Sequence, residues 1–170
     1  MTVNLDFFTL YAEIMMAFLA FTTIMVTLRQ SMVGSLLPVQ YMLFCFFIET
    51  GLLAVLKCFI PIALFSASLD EELVWRISSY IGLVAVLLYM PLYVRRRRRL
   101  VPGGLPWYSL FVMGGYGIDI TVLALTATGI FWPPSQTTFT AHLSWGLAAN
   151  MTVFVVVLSS LVTVNSGDRE

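Results

Sequence analysis

Charge is what this chain has least of. Lys and Arg number 9 and Asp and Glu 9, together 11% of 170 residues, against 59% hydrophobic residues and a mean hydropathy of +0.92. An ordinary water-soluble domain carries about 25% charged residues, so a soluble globule is excluded. Histidine occurs once, at His142. A b-type haem is thereby denied paired axial ligands and no metal cluster can form, so neither cofactor nor metal is expected. The two cysteines, Cys45 and Cys58, lie in one apolar run. A helix holds them about 20 Å apart, beyond disulfide reach, and they fit as small buried apolar side chains. No Lys or Arg precedes the first apolar run, which carries Asp6 and Glu13 instead; a cleavable signal is not expected. Gly-x-Ser-x-Gly is missing too, which removes a serine hydrolase of that type. No enzyme activity is expected.

Present in its place are long apolar runs. The one that organises the rest is 41–65, YMLFCFFIETGLLAVLKCFIPIALF. At about 25 residues it can cross a bilayer as a helix. It nevertheless carries Glu49 and, two turns on, Lys57. An ionised group at membrane depth is costly unless it faces protein, water or a partner, so other helices must surround this one. Four further spans supply them, giving helices at about 7–28, 41–65, 74–94, 108–131 and 139–164. The polar connections are short. The expected fold is all-α, a single domain over 1–170 formed by a membrane bundle of five helices. No internal repeat is visible, unlike the matched halves of many transporters.

The charges are unevenly placed. With five crossings, Arg29, Arg95, Arg96, Arg97, Arg98, Arg99 and Arg169 share one side, while Asp70, Glu71 and Glu72 fall on the other with Arg76. The positive-inside rule puts the N-terminus outside, the C-terminus in the cytoplasm and the chain in a plasma or bacterial inner membrane. The five consecutive arginines lock this topology and are candidate contacts for anionic lipid, at about 1 kcal/mol each. Nucleic acid is not an expected partner, since no aromatic platform accompanies them.

Five polar residues fall within the spans: Glu13, Glu49, Lys57, Asp119 and Asn150. Counted at about 1.5 Å per residue, Glu13 and Lys57 share a layer and carry opposite charge, which predicts a contact between them. On α-helical spacing Glu13 also heads a face of mostly small residues with Ala17, Ala20, Ile24 and Thr27, the kind of face on which helices approach closely in lipid. Asp119 falls in line with Gly115, Leu123 and Thr126, and Glu49 with Cys45, Leu53 and Leu56; both carboxylates are expected to face the bundle.

Two stretches carry likenesses to known families. The run Gly115-Tyr116-Gly117-Ile118-Asp119 resembles the Gly-x-Gly-Asp signature of intramembrane aspartyl proteases. Ile118 breaks the spacing, and Asp6, Asp70 and Asp168 lie in termini or loops, so no second aspartate shares its depth. The glycines fit better as sites of close packing or a hinge. Ala12-Glu13, Ile48-Glu49-Thr50, Trp75-Arg76-Ile77-Ser78-Ser79 and a polar midpoint in the last span together resemble a family of small multi-pass bacterial membrane proteins. No activity is assigned to that family, so the resemblance implies a membrane bundle and no function.

Two functions fit these residues. One is a binding, sensory or accessory subunit, its partner another membrane protein or a second copy, with the polar groups as interhelical contacts. The alternative is a small transporter or a proton- or cation-conducting protein that uses Glu49 and Asp119.

Overall fold

The computed structural model describes residues 5–100, 107–129 and 133–163. They form five helices: α1 (Asp6–Val33), α2 (Pro38–Ser66), α3 (Glu71–Leu100), α4 (Trp107–Thr128) and α5 (Gln136–Thr163). No strand occurs among the described residues. Each helix contains an apolar stretch of 20–30 residues, against the roughly 20 that a bilayer requires.

The turns follow local chemistry. Gly34 takes φ 96° after α1, a conformation that suits glycine. Pro38 then opens α2, where its missing N–H costs nothing. Gln40 Oε1 accepts from the Leu37 N–H at 3.2 Å and from Arg29 Nη1 at 3.1 Å, tying the first two helices together. Asp70 Oδ2 caps α3 through the Glu72 N–H at 3.2 Å, and Glu71 and Glu72 sit in the first turn, where the helix dipole favours them. Gly129 closes α4 with φ 68°, and Ser135 Oγ accepts the Thr138 N–H at 3.4 Å to begin α5.

All the helices but α4 outrun the lengths that composition suggests. The third, expected to stop at Val94, continues through the arginines to Leu100. Arginine is a good helix former, and positive charge in a last turn complements the dipole. Pro61 and Pro91 both lie inside helices that run on past them. The expected fourth-span end at Phe131, Val164 in the fifth span, and Arg169 lie outside the described residues.

At one end of the bundle lie the start of α1, the α2–α3 turn and the α4–α5 turn, with Asp6, Asp70, Glu71 and Glu72; this is the acidic end. At the basic end lie the α1–α2 turn and the arginine run. The helix α2 is central. It packs on α1, α3 and α5, and half of its most apolar stretch is buried, against 28–33% for the other four. Gly51 lets α1 approach, since a Cβ there would sit 2.6 Å from Leu19 Cδ2.

The expected small-residue face of α1 does not do this work. Ala17, Ala20, Ile24 and Thr27 are exposed, together with Glu13. Buried instead are Phe8, Tyr11, Met15, Leu19, Thr22 and Val26. The larger side chains win because they fill the furrow over α2 and α5, and the close approach is supplied by a glycine on the partner helix.

Candidate functional site: two polar clusters on one line

In the acidic-end half of the bundle three ionisable side chains from three helices meet. Lys57 (α2) places Nζ 3.1 Å from His142 Nε2, and His142 (α5) places Nδ1 2.7 Å from Asp119 Oδ2 (α4). With Lys57 as the ammonium donor, Nε2 accepts and Nδ1–H donates, which fixes the tautomer. All three are buried, at 8, 4 and 7% exposure. One cation and one carboxylate joined through a neutral ring balance charge, which is how ionisable groups persist in such a place.

Packing explains the meeting. Asp119 shares its face with Leu123 and Thr126, both fully buried. Gly82 of α3 brings its backbone against the ring, and a Cβ there would lie 3.5 Å from His142 Nε2. Tyr11 donates to the Leu143 carbonyl at 2.6 Å and ties α1 to α5 beside the histidine. Towards the acidic end the cluster is covered by Phe8, Trp75 and Phe139, whose ring centroids lie 5.8–6.1 Å apart. Its opening is sideways. Asp119 and His142 line a groove of about 540 Å³ between α4 and α5, walled by Phe111 and Trp145. Of the α4 glycines, Gly115 accommodates the Trp145 ring, to which a Cβ would come within 1.7 Å, while Gly114 and Gly117 face open space. The helix is continuous through them.

The second cluster lies in the basic-end half. Glu49 (α2) forms a two-pronged ion pair with Arg96 (α3), with Arg96 Nη1 2.6 Å from Glu49 Oε1 and Nη2 on Oε2. Tyr89 donates to the same Oε2 at 3.0 Å. This pair is not sealed: the Arg96 and Glu49 side chains are 30% and 37% exposed and open on a groove of about 580 Å³ between α2 and α3.

Between the clusters is a cavity of about 20 Å³ lined by Lys57 on one side and Tyr89 on the other, with Thr50 and Tyr116. A second, also about 20 Å³, joins Lys57 and His142 to Tyr11, Thr50, Tyr116 and Asn150. Each has room for about one water molecule. A single polar line therefore runs from one lateral groove to the other: Asp119, His142, Lys57, cavity, Tyr89, Glu49, Arg96.

The sequence-marked residues distribute as follows. Lys57 and Asp119 enter the first cluster and Glu49 the second. Asn150 accepts from Thr50 Oγ1 at 2.7 Å and joins α5 to α2. Glu13 joins neither. The expected contact with Lys57 is not made, because Glu13 points outward from α1 while Lys57 turns inward to His142. Glu49 faces the α2–α3 seam rather than the bundle centre. Of the arginine run, Arg96 is committed to Glu49 and Arg97 is buried, while Arg95, Arg98 and Arg99 are exposed. Sequence inspection missed His142, Tyr89 and Tyr116. The sequence carried little signal for the histidine: it lies about 9 Å from the observed start of α5 at Gln136 but only about 4–5 Å from the start expected at Phe139, which hides its shared layer with Lys57. No group of three or more metal-ligating side chains occurs among the described residues.

Comparison of the chain with family models, with curated proteins and with solved structures gives no match, so the resemblance of its short segments adds nothing to the functional argument.

Proposed function

We propose that this protein moves protons through a membrane along the line from Asp119 to Glu49. The observation that supports this is the continuity of the line. Titratable or hydroxyl side chains follow one another from groove to groove, and the one break is a cavity with room for a water. Helices can be fastened together by neutral hydrogen bonds, at about 0.6 kcal/mol each, without any ionisable residue. Three buried ionisable groups are a more expensive arrangement than fastening needs, which is why such residues mark ion and proton routes. Protons are favoured over metal cations, because spaces of about 20 Å³ admit no hydrated ion and Lys57 and Arg96 repel cations. Purified protein in sealed liposomes, under an imposed potential and with a pH-sensitive dye inside, should acidify or alkalinise the lumen faster than protein-free liposomes. Equal rates would refute conduction.

The second function, a binding or accessory subunit with polar interhelical contacts, is favoured by two bonds that only tie helices. These are Thr50 to Asn150 and Tyr11 to Leu143. It is the expectation that remains if the flux is absent.

The orientation we infer is N-terminus outside in a plasma or bacterial inner membrane, from the arginines of the basic end. With Cys45 and Cys58 replaced, single cysteines in 66–72 should react with a membrane-impermeant maleimide from outside in intact cells. A cysteine at Gly103 should react only after lysis; labelling there from outside would invert the topology.

A further inference from the structure

The α2–α3 groove has the makings of a ligand site. Its walls are Leu52, Leu53, Leu56, Leu92 and Tyr89, and at one end sits the Glu49–Arg96 pair. Its volume, about 580 Å³, lies within the usual range for small-molecule sites. Leu56 and Leu92 are more than half exposed, so the groove is open to the lipid along its length. The pair itself is accessible from the groove. A guanidinium fork matches a carboxylate in two parallel bonds, and here that carboxylate comes from the protein's own chain. Any amphiphile with the same head group can take the same two N–H donors, provided Glu49 gives them up. A positively charged head is disfavoured by Arg96, and a neutral head gains nothing from the fork. Exposed Arg95, Arg98 and Arg99 at the neighbouring basic end add attraction for an anion.

We propose that this groove binds an amphiphilic monocarboxylate, its tail along Leu52, Leu53, Leu56 and Leu92 and its carboxylate on Arg96 in exchange for Glu49. The exchange is a competition between two carboxylates for one fork. A proton taken up by Glu49 neutralises the internal competitor and releases both N–H donors to the ligand. Loss of that proton restores the internal pair and expels the ligand. The charged and titratable neighbours of Glu49 are Tyr89 and Arg96 from α3 and, on α2 itself, Tyr41 and Cys45. Arg96 is the permanent cation among them. The inference rests on the proposed proton line only for delivery of the proton; the binding step stands on the groove alone.

The test is isothermal titration calorimetry of the full chain in an uncharged maltoside detergent with dodecanoate, where no proton gradient exists and a failure of conduction has no influence. Glu49→Gln should bind dodecanoate about tenfold more tightly than the parent, because the fork is freed while the shape is kept. Arg96→Gln should bind at least about tenfold more weakly, and Arg96→Lys should fall between, keeping the charge without the fork. Opposite signs for the two members of one ion pair are the signature, and the gain in Glu49→Gln is readable even if Arg96→Gln fails to fold. Dodecanol and dodecyltrimethylammonium should not displace dodecanoate. Displacement by dodecanol, weaker binding in Glu49→Gln, or a preference for dodecyl phosphate over dodecanoate would each overturn the assignment, the last by giving the groove to a phospholipid head.

Discussion

Asp119→Leu is expected to cost the bundle about 3–5 kcal/mol, the range found when one partner of a buried ion pair is removed. The reason is the charge left behind. Lys57 and His142 remain in a space that is less than a tenth exposed, with no carboxylate to balance the ammonium. Lys57→Met should cost less, because His142 can take a proton and keep its 2.7 Å bond to Asp119 as a charge-balanced pair. The double variant should then cost clearly less than the sum of the two, by about 0.5–3 kcal/mol. This coupling is expected although Lys57 and Asp119 do not touch; His142 stands between them and carries it. The measurement is unfolding in mixed micelles by titration with a denaturing detergent. Were these residues ordinary interhelical fasteners, each loss would be near 0.6 kcal/mol and the two would add. An additive result would mean that the three side chains do not share one charge balance.

Neither the layering nor the pairing of these groups was fully legible in the sequence. Five spans follow from composition and length, because apolar runs of 20 or more residues have few other uses. Depth counted along each helix put Lys57 about 12 Å from the end of its span but left Asp119, about 18 Å from the expected end at Phe131, near the midplane with Glu49, and the fold places these two carboxylates in opposite halves. Rotation about each helix is harder. For α4 the line through Gly115, Asp119, Leu123 and Thr126 pointed correctly, because its buried face combines small and polar groups. For α1 the small-residue line pointed the wrong way. In lipid both faces of a helix are apolar, so hydrophobic periodicity cannot say which one is buried. That ambiguity is what made Glu13 a plausible partner for Lys57, when about half a turn of rotation takes it outside. Helix ends were misjudged for a related reason. The expected third span ends at Val94, which leaves Arg96 outside the apolar layer. The chain keeps its helix through the five arginines, and the long side chain of Arg96 reaches back into the apolar layer to Glu49.

Glu49→Gln is expected to lower proton flux by about a hundredfold or more, the scale on which a positioned acid–base group contributes, while leaving the bundle folded. Gln keeps the length of the side chain and an oxygen that can accept the Tyr89 hydroxyl. Arg96, already 30% exposed, can turn to the head groups at the basic end, so no unpaired charge is stranded in the apolar layer. What Gln cannot do is take up and release a proton. Tyr89→Phe removes the hydroxyl that faces both the cavity beside Lys57 and the carboxylate of Glu49. It should reduce flux in the same direction, with melting in detergent close to that of the parent. Glu13→Gln is the control: its carboxylate points away from the line, and both flux and stability should be unchanged. The three variants together separate conduction from fastening. If the polar residues only hold helices together, Glu49→Gln and Glu13→Gln behave alike in liposomes. A parent that conducts, with a folded Glu49→Gln that conducts equally well, would remove Glu49 from the route and leave the line ending at Lys57.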